Sequence, residues 1–157
     1  ITIQLEPLSL NQLLNDVYRI TKLRMPEGVM LEYDCPEADI LLMADKSRFI
    51  QITNNLLNNA LNNTIQGTIS FRYTANADMV EFYVKDTGVG ISENKLEAIF
   101  DRFVKLTAHQ NGFGLGLSIT KGLVKIMGGS VRVTSQPGEG SVFYFSLPVF
   151  PVPDMRT

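Results

Sequence analysis

The sequence is poor in cysteine, in long apolar runs and in excess charge of either sign. Cys35 is the single cysteine among 157 residues, so no internal disulfide can form and a zinc site of the Cys/His type cannot be built. The longest uninterrupted apolar run covers only residues 40–44, far too few to cross a bilayer. Fourteen basic residues against sixteen acidic ones give a net charge of −2. This balance offers no electrostatic attraction for nucleic acid or for an anionic membrane, and we predict no nucleic-acid partner.

Length and composition are typical of one globular domain. A chain of this size buries roughly 70% of its unfolded surface on folding, enough for a core without metal or disulfides. Hydrophobic residues make up 45% and charged residues 19%, which excludes a disordered chain. We predict one domain over residues 1–150 and a proline-containing tail over 151–157. The chain has no initiator Met and no signal-peptide core, and we expect it to be a piece of a longer protein.

Hydrophobic periodicity and turn residues predict elements in the order α-β-β-α-β-β-α-α-β-β. Helices are expected after a cap at Ser9 or Asn11, after Asp45, over 93–103 and over 114–127, with a mobile loop at 104–112. Strands are expected over 29–33, 40–44, 68–74, 80–85, 130–135 and 142–147. Because the strands come in adjacent pairs, most pairing should be antiparallel. The predicted fold is a two-layer α+β sandwich, with a sheet of about five or more strands and three main helices on one face.

A cluster of asparagines occupies the second predicted helix. Six of the ten residues from 54 to 63 are Asn, a poor helix former that costs about 0.6 kcal/mol relative to Ala. Asn55 and Asn59 are spaced i,i+4 and share one helix face, and an amide oxygen is a hard, neutral ligand suited to Mg²⁺. Two interpretations stay open for these two residues: metal ligands or structural amides. For Asn54, Asn58 and Asn63 the simpler interpretation is a solvent-facing or helix-end position.

A second motif, Asp86-Thr87-Gly88-Val89-Gly90-Ile91, follows a predicted strand. Asp86 has the same strand parity as three apolar residues of 80–85, so its carboxylate points to the apolar side of the sheet. That position is costly unless the carboxylate accepts strong hydrogen bonds, and an amino group on a ligand base would supply one. Gly88 and Gly90 permit positive φ and close approach of a ligand. The alternative is a simple Asp-x-Gly turn.

A third motif, Gly112-Phe113-Gly114-Leu115-Gly116-Leu117, runs directly into a predicted helix. Backbone N–H groups at such a helix start favour phosphate. The spacing fits neither the P-loop nor the dinucleotide-binding pattern, so both of those interpretations fail. Glycine-rich turns before helices are common, so this motif is weak evidence by itself.

Together these segments resemble the sensor histidine kinase catalytic domain, over about residues 8 to 148. Four of its sequence boxes occur in order: Asn55-Leu56-Leu57-x-Asn59-Ala60, Asp86-x-Gly-x-Gly, Phe100-Asp101-Arg102-Phe103 and Gly112-x-Gly-Leu-Gly-Leu. The resemblance implies the Bergerat ATP-binding fold, which type II topoisomerases, Hsp90-type chaperones and mismatch-repair ATPases share. ATP and Mg²⁺ are then the implied ligands.

The resemblance also implies roles for individual residues. Asn59 would ligate the Mg²⁺ that bridges the ATP phosphates, and Asp86 would receive the adenine amino group. Gly88 and Gly90 would shape the adenine pocket. Residues 104–113 would form a lid over ATP, with Lys105 as a catalytic phosphate contact or else a solvated lysine. The remaining candidate contacts to ATP are Asn55, Asn62, Ile91, Gly112, Phe113, Gly114, Leu115, Gly116 and Leu117, with Gly114 and Gly116 as the lid hinge.

Position 55 bears on the type of reaction. In the hydrolysing relatives, a carboxylate one helical turn before the metal-binding Asn activates water. Here that residue is Asn55, counted among the catalytic candidates, and an amide has no useful basicity. A site without a general base is expected when the acceptor is a histidine on another domain. The chain differs from the family at three further positions. The family commonly has a basic residue where this chain has Asn62, an aromatic residue in place of Asn63, and Thr or Ser in place of Phe113.

The family's phosphoacceptor histidine precedes an acidic residue on a dimerisation helix. The single histidine here, His109, precedes Gln110 inside the predicted lid. The resemblance therefore implies a catalytic domain that transfers the γ-phosphoryl group of ATP to a histidine on a separate dimerisation domain. It further implies a homodimeric parent kinase anchored in the bacterial inner membrane, with this domain in the cytoplasm and a response regulator receiver domain as partner.

Two alternatives stay open. One is a stand-alone Bergerat ATPase that hydrolyses ATP, which Asn55 opposes. The other is a degenerate nucleotide-binding or interaction module without kinase activity. Asn62 and Phe113 favour that module, whereas Asn59 and Asp86 oppose it.

Overall fold

A computed structural model describes residues 2–35, 39–76, 78–96, 98–100 and 115–148. Within these ranges the chain forms seven strands and four helices. In chain order they are β1 (Glu6–Ser9), α1 (Leu10–Lys22), β2 (Val29–Asp34), β3 (Leu41–Ala44), α2 (Lys46–Asn63), β4 (Gly67–Ala75), β5 (Met79–Asp86), α3 (Glu93–Leu96), α4 (Leu115–Ile126), β6 (Ser130–Gln136) and β7 (Gly140–Pro148).

The main sheet has five strands in the order β2-β4-β5-β7-β6. Strand β2 runs parallel to β4, and the other three pairs are antiparallel. A separate two-stranded sheet joins β1 to β3. This architecture confirms the predicted α+β sandwich with a mixed, mostly antiparallel sheet.

One face of the main sheet carries the core. Alternate residues of β4, β5 and β7 are buried there, among them Phe71, Phe82 and Phe145. The three long helices α1, α2 and α4 supply the opposing apolar side chains. Phe49 of α2 packs edge-on against Phe82, with ring centroids 4.4 Å apart. Buried aromatic pairs of this kind stabilise the contact between helix and sheet.

The two predicted helix caps are present. The Ser9 hydroxyl accepts a hydrogen bond from the Gln12 N–H at 3.1 Å, which selects Ser9 over Asn11 as the cap of α1. The Asp45 carboxylate accepts one from the Arg48 N–H at 3.1 Å at the start of α2. Each cap pairs a backbone donor that the helix itself leaves without a partner.

The predicted pairing of neighbouring strands is wrong for β2 and β3. Strand β2 pairs in parallel with β4, and β3 pairs with β1, which the sequence analysis missed. Strand β1 has only four residues and contains Pro7, so it shows no alternation long enough to be recognised. A parallel partner for β2 requires a crossover, which α2 supplies.

The third predicted helix is shorter than expected. Helix α3 covers Glu93–Leu96, and residues 98–100 form a turn. The remainder of the predicted helix, the predicted loop at 104–112 and the tail at 151–157 lie outside the described residues. The last helix, predicted over 114–127, is confirmed as α4 over Leu115–Ile126.

Candidate nucleotide-binding site

Three asparagines line one face of α2. Asn55, Asn59 and Asn63 follow one another at intervals of four residues, so together they span about 12 Å of the helix. Asn59 and Asn63 are buried and Asn55 is half-buried. Helix α2 thus presents a row of amides from its middle to its last residue.

The other asparagines of the cluster lie elsewhere. Asn58 and Asn62 are exposed, and Asn54 is half-buried. The side-chain Oδ1 of Asn58 accepts a hydrogen bond from the Arg24 guanidinium at 2.7 Å, which ties α2 to the residues after α1. The solvent-facing interpretation is therefore correct for Asn58. Asn62 lies in the last turn of α2, three residues beyond Asn59.

At one end of the row, Asn55 connects α2 to α4. Its amide nitrogen donates to the Gly116 carbonyl and to the Thr120 hydroxyl, each at 3.3 Å. The Thr120 hydroxyl in turn donates to the Gly116 carbonyl at 2.7 Å. Asn55 therefore fixes the first turn of α4, whose backbone N–H groups were predicted to face phosphate. Leu117 in the same turn is buried.

At the other end of the row, α2 packs against the turn that follows β5. The Asn63 carbonyl oxygen accepts a hydrogen bond from the Val89 N–H at 3.1 Å. A Cβ atom at Gly88 would lie 2.0 Å from the same carbonyl oxygen, a severe overlap. Glycine at position 88 therefore allows the turn to approach the end of α2.

The β6–β7 hairpin holds this turn from the opposite side. Gly90 has φ of +73°, and a Cβ there would lie 2.1 Å from the Gln136 carbonyl oxygen. The Val89 carbonyl accepts from the Gly138 N–H at 2.8 Å, and the N–H of the buried Ile91 donates to the Ser135 hydroxyl at 2.7 Å. The turn at 86–91 is thus clamped between α2 and the last hairpin.

Asp86 ends β5 with its carboxylate on the apolar side, as its parity predicted. The residue is 1% exposed. One carboxylate oxygen, Oδ1, accepts from the Gly88 N–H at 2.9 Å. The other, Oδ2, has no hydrogen-bond partner within the described part of the chain. Burial raises the pKa of the Asp86 carboxyl above its usual range, while the N–H groups of Gly88 and Ser141 act in the opposite direction. Asp86 is a buried acceptor that still requires a donor.

Two polar residues beside this turn were missed. Asn63 is the last residue of α2, as its helix-end interpretation allowed, but the solvent-facing interpretation is wrong because it is 4% exposed. Its Oδ1 and the Oγ1 of the next residue, Thr64, are buried without a hydrogen-bond partner among the described residues. The signal was available in the sequence, because Asn63 lies four residues after Asn59 and shares its helix face.

Several predicted contacts lie outside the described residues: Lys105, Gly112, Phe113 and Gly114, together with His109 and the side chain of Leu115. The remaining candidates lie on α2, on the 86–91 turn and on the first turn of α4, and α2 contacts both of the other segments.

An apolar cavity lies apart from this site. It has a volume of about 210 Å³ and lies between the two-stranded sheet, α2, the end of α4 and the end of β7. Its lining is almost entirely aliphatic and contains none of the predicted site residues. Asp86 borders an open groove of about 530 Å³, together with Ser135, Gly140 and Ser141, but no residue of α2 lines that groove. Convergent polar groups, rather than enclosure, mark the candidate site.

Comparison with known proteins decides the family. Residues 44–151 match the family described as histidine kinase-, DNA gyrase B- and HSP90-like ATPases. The chain belongs to this family. The match includes all of α2, the 86–91 turn and α4, and it confirms the predicted ATP-binding fold.

Two relatives of this domain within the family are sensor kinases. It is 36% identical over 140 residues to the adaptive-response sensory kinase SasA of Prochlorococcus marinus, covering 85% of this chain and 36% of SasA. It is 37% identical over 119 residues to the sensor histidine kinase RcsC of Escherichia coli, covering 73% of this chain and 12% of RcsC. The chain therefore spans about a third of SasA and a smaller part of RcsC.

Solved structures agree with this assignment. The domain matches full-length ShkA in complex with AMPPNP with a TM-score of 0.88 and 31% identity, over 98% of this chain and 33% of ShkA. It matches the catalytic domain of the histidine kinase ThkA with a TM-score of 0.82 and 27% identity, over 94% of this chain and 99% of that domain. These findings confirm a sensor histidine kinase ATP-binding catalytic domain.

No helix in the described ranges is both long enough and apolar enough to cross a membrane.

Proposed function

We propose that this kinase domain binds ATP with the adenine at Asp86 and the phosphates toward α4, and transfers the γ-phosphoryl group to a histidine on a separate dimerisation domain. The observation that carries this proposal is the buried Asp86 carboxylate, whose Oδ2 has no donor among the described residues. Adenine presents an amino group, whereas guanine presents a carbonyl oxygen at the same position of the ring. A carboxylate acceptor therefore favours ATP over GTP.

The row of amides on α2 supports the orientation of the nucleotide. Asn63 lies beside the 86–91 turn and Asn55 beside the start of α4, with Asn59 midway between them. A nucleotide whose base reaches Asp86 and whose phosphates reach α4 would extend along this row. The N–H groups at the start of a helix then face the anionic end of the ligand.

Asn59 fits Mg²⁺ in this arrangement. Mg²⁺ binds oxygen ligands and commonly takes one or two from protein, with substrate phosphates and water supplying the others. The Asn59 amide is buried on the face of α2 that would carry the phosphates, and its oxygen is neutral. Bound Mg²⁺ would supply electrostatic stabilisation of the phosphate charge. Asn59 would hold the metal, while the turn and α4 orient the nucleotide.

The arrangement favours transfer to histidine over hydrolysis. In the proposed step, a neutral imidazole nitrogen of the acceptor domain attacks the γ-phosphorus. The bond from that phosphorus to the β–γ bridging oxygen breaks, and ADP leaves with the bond's electrons. An imidazole nitrogen already has a lone pair, so no general base is needed, whereas attack by water is helped by one. Asn55 provides no base, and its amide nitrogen already bonds α4.

The wider assignment follows from the relatives, which are sensor kinases longer than this chain. The proposed partners are a histidine-containing dimerisation domain of the same kinase and a response regulator receiver domain. The parent protein is proposed to be a homodimer anchored in the bacterial inner membrane, with this domain in the cytoplasm.

Reconstitution tests the proposed reaction. The chain incubated alone with γ-labelled ATP and Mg²⁺ should stay unlabelled, because His109 is its single histidine and no acidic residue follows it. Adding the dimerisation domain of the parent kinase should label that domain, and changing its acceptor histidine to Ala should abolish the label. A label on this chain that disappears in His109→Ala would contradict the proposal. Fast phosphate release by the isolated chain would favour the hydrolase alternative.

A charge added at Asn62 tests the position of the phosphates. Asn62 is exposed and lies three residues beyond Asn59. Asn62→Lys should raise the affinity for ATP about twofold to tenfold and the affinity for ADP less. The reason is that a partly exposed ammonium–phosphate contact contributes roughly 0.5–1.5 kcal/mol. The gain should shrink as salt is raised. Titrations of both nucleotides at low and high salt provide the measurement.

Gln66→Lys is the matched control, because it adds the same charge at an exposed position beside Gly28. It should leave the affinity for ATP unchanged. An equal gain for adenosine, which has no phosphates, would show that Asn62 does not face the phosphates.

A further inference from the structure

Three residues that lie next to Gly88 each hold a buried oxygen without a hydrogen-bond partner among the described residues. The oxygens are Oδ2 of Asp86, Oδ1 of Asn63 and Oγ1 of Thr64. The three residues are 1%, 4% and 2% exposed. Folded proteins pair nearly all buried polar atoms, so three such oxygens on residues that contact one glycine point to a ligand that brings donors.

Local contacts hold the three residues against Gly88. The Gly88 N–H donates to Asp86 Oδ1 at 2.9 Å, which fixes the carboxylate on the β5 side. On the α2 side, the Asn63 carbonyl is fixed by the Val89 N–H, and Thr64 Oγ1 lies 3.0 Å from the position of a Cβ at Gly88. Asp86 at the end of β5 and Asn63 at the end of α2 are therefore both held against the same glycine.

We propose that Asn63 is a second hydrogen-bond acceptor for the exocyclic amino group of the bound adenine, beside Asp86. This inference rests on the proposed function, since it assumes that the base lies at Asp86. The amino group has two hydrogens, and Asp86 Oδ2 accepts one of them. The Asn63 amide oxygen accepts the second, as the amide oxygen of Asn does when it pairs with the amino group of adenine.

A structural role does not account for the Asn63 side chain. An Asn at a helix end commonly uses its side chain to pair a nearby backbone group. In this domain Asn63 Oδ1 pairs with none of the described residues. The contact of Asn63 with the turn is made by its backbone carbonyl. Position 63 is commonly aromatic in the family, whereas here it carries a polar amide. If this amide is an acceptor, adenine binding depends on both hydrogens of the amino group.

Asn63→Leu tests the inference, because it keeps the approximate size and removes the acceptor. We expect it to weaken ATP about fivefold to tenfold, in the range of a lost neutral hydrogen bond. The affinity for purine ribonucleoside triphosphate, which has hydrogen in place of the amino group, should change less than twofold in this variant. Asn58→Leu, at an exposed position of the same helix, is the control and should change neither. Equal weakening of both nucleotides by Asn63→Leu would overturn the inference.

A measurement on the unchanged chain covers the case in which Asn63→Leu fails to fold, as judged by thermal unfolding. ATP methylated on its amino nitrogen retains one hydrogen, which a single acceptor would satisfy. With two acceptors, we expect it to bind at least fivefold more weakly than ATP. Equal affinity would overturn the role of Asn63. By contrast, equal affinity of the unchanged chain for ATP and GTP would contradict the adenine site itself.

Discussion

Replacing Asp86 by Asn should weaken ATP binding at least tenfold and make the nucleotide-free protein more stable. The variant keeps an oxygen for the Gly88 N–H but places an amide nitrogen where Oδ2 lies, so a donor faces the adenine amino group. Loss of a charge-assisted hydrogen bond of about 1.4 kcal/mol or more corresponds to that factor. Calorimetric titration with ATP and GTP provides the measurement, and GTP should bind poorly to the unchanged chain.

The gain in stability follows from the pKa of Asp86. Burial raises that pKa, so the folded protein holds the proton more tightly than the unfolded chain does. The contribution of Asp86 therefore favours folding at low pH and is lost as pH rises from the ordinary Asp range through the raised pKa. Once deprotonated, the carboxylate carries the cost of its burial.

Asp86→Asn removes this cost, and we expect about 1 kcal/mol of added stability at neutral pH. For a chain of this size, that corresponds to a rise in Tm of about 2–4 °C. The gain should fall toward zero near the ordinary Asp pKa of about 3.9. Thermal unfolding without nucleotide at several pH values would show it. A variant that loses both ATP affinity and stability would indicate that Asp86 is a structural residue of the turn.

Asn59→Ala should remove most of the Mg²⁺-dependent affinity for ATP and lower phosphotransfer about a hundredfold or more. The reason is that the variant removes the one amide oxygen that we assign to the metal, and with it the fixed position of the phosphates. ATP affinity measured with Mg²⁺ and with a chelator should differ strongly for the unchanged chain and little for the variant. Transfer to the added dimerisation domain provides the second readout.

The matched control for Asn59→Ala is Asn54→Ala. Asn54 belongs to the same helix and is half-buried, but it lies outside the row of Asn55, Asn59 and Asn63. We expect Asn54→Ala to change neither metal dependence nor transfer. Equal effects at positions 54 and 59 would mean that the asparagine cluster supports the fold of α2 rather than a metal. Thermal unfolding of both variants separates loss of binding from loss of folding.

The sequence was most informative where a local pattern carries the signal. The alternation along β5 placed Asp86 on the buried side correctly, and Ser9 and Asp45 cap the helices that follow them. These features depend on residues close together in the chain. The order of the sequence boxes carried the family assignment, which the match over residues 44–151 confirms.

The sequence was least informative where distant segments meet. The parallel pairing of β2 with β4 and the short sheet of β1 with β3 depend on contacts that no local pattern encodes. The same holds for Asn63, whose burial depends on the approach of Gly88 to the end of α2. Asparagine is usually exposed, so composition alone favoured the wrong environment for it.

The clamped turn at 86–91 also bears on when the domain can bind its ligand during folding. Gly88 fits against Asn63, Gly90 against Gln136, and Gly140 against the Asp86 carbonyl oxygen, where a Cβ would lie 2.0 Å away. Because these contacts join α2 to the last hairpin, the proposed base pocket requires that both segments have come together around the turn. A chain that lacks β7 would have no pocket to offer. Nucleotide should therefore bind the completely folded chain and stabilise it by mass action, so that the number of ATP sites per chain reports how much of a preparation has finished folding.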